Sequence, residues 1–190
     1  METANATLVH YVLDTRASRF TVQAFATGLL SAMGHNPTLG VSNFAGGVDF
    51  NAEELRAAGF RLTMQAGSLS VQDDISDKDR NEIERLTKEQ ILEVAKYPQI
   101  VYDAPDVTVT QLEGSLYRAA LDGSLSCHGV TRRQQVSARI AMFGEMLRAS
   151  GEVTLRQSDY QIKPFSFGGG TLKLKDELKI AFEMVARKQG

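Results

Sequence analysis

Apolar and polar side chains alternate with a period of two along residues 116–142. Leu121 and Leu125 fall on one side of this pattern, and Asp122 falls on the other. Such alternation predicts a β-strand with one buried and one solvent-facing side. Gly129 lies where the chain must reverse, because glycine accepts a positive φ without a Cβ clash. The segment therefore predicts two long antiparallel strands joined by a tight turn, whose apolar face needs further strands to cover it.

The same alternation recurs on both sides of this hairpin, after a loose leader predicted over residues 1–10. Further strands are predicted at residues 11–14, 19–27, 38–50, 60–71, 99–103, 107–111, 147–156 and 172–186. Long strands without alternating helices argue against the parallel α/β folds. Several segments are longer than the about five or six residues of a typical strand, which favours a closed barrel over a sandwich. We therefore predict an all-β fold with one helix, an extended antiparallel eight-stranded β-barrel that can hold one small ligand.

One segment, residues 77–95, has apolar side chains at helical spacing, with Ile83, Leu86 and Val94 on the apolar side. Asp77 is a suitable cap for its start. A proline follows closely, and the residue before a proline disfavours the helical region. The pattern predicts one helix inserted between strands, laid against one end or side of the barrel as a partial lid.

The alternation also predicts which apolar side chains face the inside of the barrel. A register error of one residue would move the whole set of a strand to the outside. The predicted lining consists of Phe20, Val22, Phe60, Leu62, Met64, Leu121, Leu125, Val136, Ile140, Val153, Leu155, Ile180 and Phe182.

Length and charge narrow the class of protein. The 190 residues predict a single domain over 1–190. The net charge is −2 without any basic block, which argues against a nucleic-acid partner. No apolar run approaches the ~18 residues of a membrane span, so we expect a soluble protein without an integral membrane segment. The start of the chain lacks the features of a signal peptide, which predicts a cytoplasmic location, or a periplasmic one if the N-terminus has been processed. A homodimer is a possible assembly.

The residue types used in catalysis and metal binding are few and scattered. The three histidines, His10, His35 and His128, lie far apart in the sequence. Cys127 and His128 are adjacent, which places their side chains on opposite faces of the predicted strand. We therefore predict no metal site and no cofactor. Cys127 falls on the apolar face, where an inert core residue is expected, and no nucleophile motif surrounds any serine, so we predict no catalytic residue.

His35 is the most interesting of the three histidines, because it follows a short apolar bend at residues 29–33. It is the candidate to stand at the mouth of the barrel and bind the polar head group of a ligand. The alternative is a loop histidine whose nitrogen atoms are satisfied by the backbone.

Four stretches of sequence, in this order, resemble the YceI-like polyisoprenoid-binding family. They are residues 11–22, residues 96–102 (KYPQIVY), residues 123–131 (GSLSCHGVT) and residues 156–162 (RQSDYQI). In the last stretch Gln161 stands where the family usually has glycine. The resemblance implies an extended, lipocalin-like barrel around an apolar pore that takes a long isoprenoid chain, such as a quinone tail.

The leading functional hypothesis is the binding and carrying of a long apolar or amphipathic ligand, an isoprenoid, a quinone or a related lipid. Burying each methylene-sized group of such a ligand gains about 0.8 kcal/mol. A dry tunnel is therefore sufficient to bind it, and no special residue is required. Two alternatives stay open. The acidic helix region is a recognition surface if the protein is an interaction module, and the same cavity is the active site if it is an enzyme or a stress-response factor.

Overall fold

Antiparallel strands make up most of the computed structural model, which describes residues 8–27, 36–51, 56–167 and 172–189. The strands are β1 (Val9–Leu13), β2 (Arg19–Thr27), β3 (Thr38–Val41), β4 (Phe44–Asn51), β5 (Arg56–Gln65), β6 (Leu69–Val71), β7 (Gln99–Glu113), β8 (Leu116–Cys127), β9 (Val130–Phe143), β10 (Met146–Arg156), β11 (Ser166–Phe167) and β12 (Leu172–Lys188). The helix α1 spans Asp77–Leu86. β1 already begins at Val9, so the end of the predicted leader is wrong.

The strands close into a barrel. The order β1-β4-β5-β7-β8-β9-β10-β12 forms a ring, because β12 pairs with β10 and again with β1. β2, β3 and β6 extend this ring beside β12, as β2 pairs with β12, β3 with β2 and β6 with β3. They continue β1, β4 and β5 across short breaks, so that three long strands bend. The predicted all-β, eight-stranded antiparallel lipocalin-like barrel is confirmed.

The turn between β8 and β9 joins the paired residues Cys127 and Val130 with two residues, His128 and Gly129. Both have positive φ, 51° and 76°. This geometry is that of the tight turn whose twist matches the flanking strands. The reversal predicted at Gly129 is confirmed. The placement of His128 on a strand face is wrong, because it occupies the first position of the turn.

The helix is shorter than the predicted 77–95. α1 ends at Leu86, and a wider π-type turn follows over Thr87–Ile91, in which the N–H of Leu92 donates to the carbonyl of Thr87. Glu93 then adopts a positive φ of 45°, which ends any helical path. The N-cap is Ser76, whose hydroxyl accepts the N–H of Asp79 at 3.1 Å, so the capping role predicted for Asp77 is also wrong.

α1 lies against the short strand β6. The backbone N–H of Val71 donates to a carboxylate oxygen of Glu84 at 3.0 Å, and the Arg80 guanidinium donates to the Val71 carbonyl at 2.6 Å. Ile83 packs on the apolar cluster of β3 and β6. These contacts satisfy the polar edge of β6, which a strand would otherwise need to cover.

The barrel has two different ends. We call the end with α1 and the His128–Gly129 turn the helix end. We call the other the hairpin end, formed by the β7–β8 and β9–β10 turns. At the hairpin end, Tyr11, Phe50, Tyr117 and Leu147 are buried. The rings of Phe50 and Tyr117 meet edge to face with centroids 6.3 Å apart, so aromatic packing fills this end.

Candidate functional site

A cavity of about 520 Å³ lies inside the barrel. All thirteen apolar side chains that the alternation predicts as lining are on its wall: Phe20, Val22, Phe60, Leu62, Met64, Leu121, Leu125, Val136, Ile140, Val153, Leu155, Ile180 and Phe182. Their part in ligand binding stays a prediction.

The register of the strands explains why these side chains meet. Val22 pairs with Ile180 across β2 and β12, and Leu121 pairs with Val136 across β8 and β9. Directly paired residues project to the same face of a sheet. A closed barrel turns that face inward at every strand, so one phase of the alternation supplies the whole lining.

The fit of Phe182 depends on the glycine opposite to it. Gly151 pairs with Phe182 across β10 and β12. A Cβ at Gly151 would lie 2.6 Å from Cζ of the Phe182 ring and 2.5 Å from the carbonyl oxygen of Ser137. Only glycine leaves room for both, so the Phe182 ring covers the backbone of β10 and forms part of the cavity wall.

Sequence reasoning missed the lining contributed by the helix end. Ile75, Ile91, Leu92 and Leu69 lie on the cavity wall, together with the predicted helix residue Leu86. These residues come from short or irregular segments without a sustained period. The sequence feature that could have indicated their burial is the high number of apolar side chains around the helix.

Most polar groups on the cavity wall are already engaged in the protein. Asp73 accepts the backbone N–H of Thr38 at 2.8 Å, and Asp79 accepts the Ser76 hydroxyl at 2.7 Å. The side-chain amide of Gln157 donates to the carbonyl of Lys175 at 2.9 Å. Among the described residues, no buried side-chain nitrogen or oxygen lacks a hydrogen-bond partner. The interior of the barrel therefore does not require a polar group from a ligand.

Burial raises the pKa of three groups on the cavity wall, Tyr102, Cys127 and Tyr160. It raises the pKa of Tyr102 to about 12, with a smaller contribution from the negative charge of Asp122, and the Tyr102 hydroxyl donates to the carbonyl of Gln134 at 3.0 Å. Burial also raises the pKa of Cys127 to about 11. The thiolate is the reactive form of cysteine, so Cys127 is protonated at neutral pH and its predicted inert role is supported.

The two histidines that the structure describes, His10 and His128, do not come together at a metal-like site. His10 pairs with Asp49, 2.6 Å away, on the outside of the barrel. His128 lies at the helix end, and His35 lies outside the described residues. In the part of the chain that the structure describes, no three histidine, cysteine or carboxylate side chains converge as metal ligands would. None of the described helices is long and apolar enough to cross a membrane.

His128 has a structural role at the helix end. Its Nε2 lies 2.8 Å from a carboxylate oxygen of Glu93, and its Nδ1 lies 3.2 Å from the carbonyl oxygen of Tyr160. Its ring packs on Tyr97 with centroids 4.6 Å apart. A Cβ at Gly129 would lie 2.6 Å from the Tyr97 ring, so the turn sits directly on this tyrosine. These contacts tie the chain after the helix to the β8–β9 hairpin.

Three of the four stretches that carry the family resemblance meet here, through Tyr97, His128 and Tyr160. Gln161, which follows Tyr160 and stands where the family usually has glycine, has a φ of 57°. Glycine adopts this left-handed conformation without strain, which explains physically why the family favours it at this position.

Comparison with known proteins supports the family resemblance noted in the sequence. The family model for the YceI-like domain matches residues 11–186 of this chain. No curated protein matches the chain in sequence. Among solved structures, a polyisoprenoid binding domain from Saccharophagus degradans, implicated in plant cell wall breakdown, is similar with a TM-score of 0.70. It is 13% identical, and the match covers 96% of this chain and 99% of that chain.

Two further structures share the fold. BcnA from Burkholderia cenocepacia is 18% identical, with a TM-score of 0.66 over 91% of this chain and 98% of that chain. The YCEI protein of Campylobacter jejuni is 14% identical, with a TM-score of 0.61 over 83% of this chain and 87% of that chain. The family resemblance noted in the sequence is therefore confirmed, and the chain belongs to the YceI-like family.

Proposed function

We propose that the protein binds and carries a long apolar or amphipathic molecule, an isoprenoid, a quinone or a related lipid, in the barrel cavity. The observation that carries this proposal is the apolar cavity of about 520 Å³ inside the barrel, whose few polar groups are mostly engaged in the protein itself. A similar structure is described as a polyisoprenoid binding domain, which agrees with the proposal.

The size of the cavity gives a scale for the ligand. An apolar cavity of about 150 Å³ accommodates benzene, with its six carbon atoms, so the same packing gives about twenty carbon atoms for this barrel. Burying one methylene-sized group gains about 0.8 kcal/mol, so the many such groups of a long ligand together outweigh the about 0.5–1.5 kcal/mol of one neutral hydrogen bond. Affinity should therefore follow the apolar volume of the ligand up to this length and depend little on any single polar contact.

The head group of an amphipathic ligand belongs at the helix end, where the polar residues of the cavity wall are concentrated. Asp73, Asp79 and Arg156 lie there. His35 precedes the cavity-lining Pro37 by two residues, so it remains our candidate for a head-group contact. We expect it to adjust head-group preference and not to decide whether a lipid is bound.

The test is the amount of lipid carried by folded protein purified without detergent, measured by native mass spectrometry. Leu125→Arg places a charge in the dry cavity, where it is poorly solvated, and should empty the barrel. Ser124→Arg adds the same charge to the outward face of the same strand and is the matched control. His35→Ala and His128→Ala should both keep the lipid.

Two outcomes would contradict the proposal. A folded but empty His35→Ala protein beside a loaded Leu125→Arg protein would favour a polar-site mechanism, as in an enzyme. Wild-type protein that is empty and takes up no isoprenoid, quinone or fatty acid would favour an interaction module that uses the acidic helix region.

A further inference from the structure

Three large apolar side chains are exposed at the hairpin end of the barrel. Leu112, Leu116 and Phe143 have 50%, 48% and 55% of their surface in solvent. They come from the neighbouring strands β7, β8 and β9, next to the two turns that form this end. Single exposed apolar residues are ordinary, but a group of large ones on adjacent strands marks an interaction surface.

Three arginines lie beside this group on the outward face. Along β8, Arg118 follows Leu116 by two residues, which keeps it on the same face of the strand. Arg139 pairs directly with Arg118, and Arg148 pairs with Ala141, the β9 residue that also pairs with Leu116. We define the docking face as Leu112, Leu116 and Phe143 with Arg118, Arg139 and Arg148.

The three arginines have no counter-ion among the residues that the structure describes. None of them forms a hydrogen bond or an ion pair with any described residue, whereas nearby Arg187 pairs with Asp14 at 2.8 Å. Like charges directly opposite each other destabilise a sheet, as Arg118 and Arg139 do here. Glu145 at the β9–β10 turn lies 3.9 Å from Lys188, and Glu113 pairs with Leu116 beside the β7–β8 turn. Glu152 and Glu183 line the outer groove next to Arg118 and Arg139, and Glu152 is paired with Lys179. The six residues of the docking face itself carry three positive charges and no negative one, although the net charge of the whole chain is −2.

We propose that the docking face binds the surface of a lipid bilayer that contains anionic phospholipids. Apolar side chains at the tip enter the boundary between head groups and acyl chains, and arginines next to them bind lipid phosphates. Phe143 and Arg139 are four residues apart, about 13 Å along the strand. Strand tilt in the barrel and the length of the arginine side chain shorten this separation, so both groups reach their own layer of the interface together.

The docking face also borders the cavity wall. The ladder between β9 and β10 ends at Arg139 and Ser150, and a groove of about 710 Å³ lies on the outside at this point. Ala138 and Phe182 line both this groove and the cavity. Docking would thus set this shared part of the wall near the bilayer, which would supply or receive the cargo. This last link rests on the proposed function, whereas the docking itself does not.

The chain has no tryptophan, so a single one can report on docking. Phe143→Trp should shift its emission to shorter wavelength when vesicles of phosphatidylcholine and phosphatidylglycerol in equal parts are added. Vesicles of phosphatidylcholine alone should give a much smaller shift. Thr154→Trp, on the outward face of β10 away from the hairpin end, is the control and should not respond.

Co-sedimentation with the same vesicles measures the contribution of each arginine. Each of the variants Arg118→Gln, Arg139→Gln and Arg148→Gln should bind the anionic vesicles about fivefold more weakly than the wild type. Raised salt should also weaken the binding of the wild type, because it screens the attraction between arginine and phosphate. Arg61→Gln and Arg133→Gln remove exposed arginines that already have acidic partners, and they should leave binding unchanged. These two controls also show whether any loss is due to total charge alone.

The proposal is overturned if the wild type does not bind anionic vesicles, or if the docking and control variants bind equally. It is also overturned if the wild type is a dimer that Phe143→Ser converts to a monomer while vesicles are ignored, because the occupant is then a second copy of the chain. Leu125→Arg separates the two proposals. If its barrel is empty and it still binds vesicles, the docking face is supported independently of the cargo. If the wild type carries lipid but does not bind vesicles, the docking proposal is wrong and the proposed function is kept.

Discussion

Loosening the helix end should speed the exchange of a bound ligand, and Leu86→Asp is the change that tests this. Leu86 lies at the last position of α1 and contributes to the cavity wall. The helix is also held by Ile83 on the β3 and β6 cluster and by the hydrogen bonds of Glu84 and Arg80 to Val71. The substitution removes one apolar contact and adds a carboxylate at an apolar wall, while those other contacts remain.

The expected effect follows from the apolar contact that is lost. Exchanging a half-buried leucine for a charged side chain costs about 2 kcal/mol of docking free energy. If opening of this end limits release, about 2 kcal/mol corresponds to a rate increase of about 30-fold. Thermal stability should fall as well, because the helix covers the edge of β6.

Displacement of a fluorescent fatty acid in a stopped-flow instrument measures the release rate, and calorimetry measures the melting temperature. Asn81→Asp adds the same charge to an exposed position of the same helix, so it is the matched control. If Leu86→Asp leaves both release and melting unchanged relative to Asn81→Asp, the helix does not restrain the ligand, and the lid interpretation is wrong.

Three further predictions follow from the titration and pairing of particular groups. Cys127, with its pKa raised to about 11 by burial, should react with a thiol reagent at pH 8 only as fast as the protein opens, and at full rate in denaturant. The pKa of Asp14 is lowered chiefly by its hydrogen bond to Arg187. The charged Asp14 therefore stabilises the folded protein above the pKa of the unfolded chain, and this stabilisation is lost as the pH falls through the pKa of the folded state. In urea denaturation measured at a series of pH values, Asp14→Asn should reduce the loss of stability at acid pH. Backbone amides of residues 131–137 that face β10 should exchange with deuterium faster than their neighbours that face β8, since the β9–β10 ladder ends at Arg139; equal rates by NMR would contradict this reading of the ladder.

The alternation was sufficient to predict the barrel and the side chains on its wall, because a closed sheet buries one phase of a period-two pattern. It was not sufficient at the helix end. The pattern of Ile83, Leu86 and Val94 suggested a continuous helix, yet the chain widens after Leu86 and turns at Glu93. Tertiary contacts decide this, since the carboxylate of Glu93 lies against the ring of His128.

The docking face shows a second limit of sequence reasoning. Arg118 and Arg139 each fit a solvent-facing strand position and attract no notice alone. Only the register of β8 and β9 brings them directly opposite each other, and register is set by the turn at His128 and Gly129. A pattern of alternation assigns faces but does not identify neighbours across strands, so a cluster assembled from several strands stays hidden in the sequence.

The distribution of the family stretches has a consequence for ligand specificity. Tyr97, His128 and Tyr160 meet at the helix end and hold one another, and the rings of Tyr97 and His128 are not on the cavity wall. The same stretches also supply part of the cavity wall, for example Tyr102, Leu125 and Tyr160. Most of the wall lies outside them, at largely apolar positions that tolerate exchange of one aliphatic residue for another of similar volume. At those positions the cavity can change its length and width without any change in the contacts between Tyr97 and His128. For this protein we accordingly expect the ligand to be selected by apolar volume, with the motif preserving the framework that encloses it.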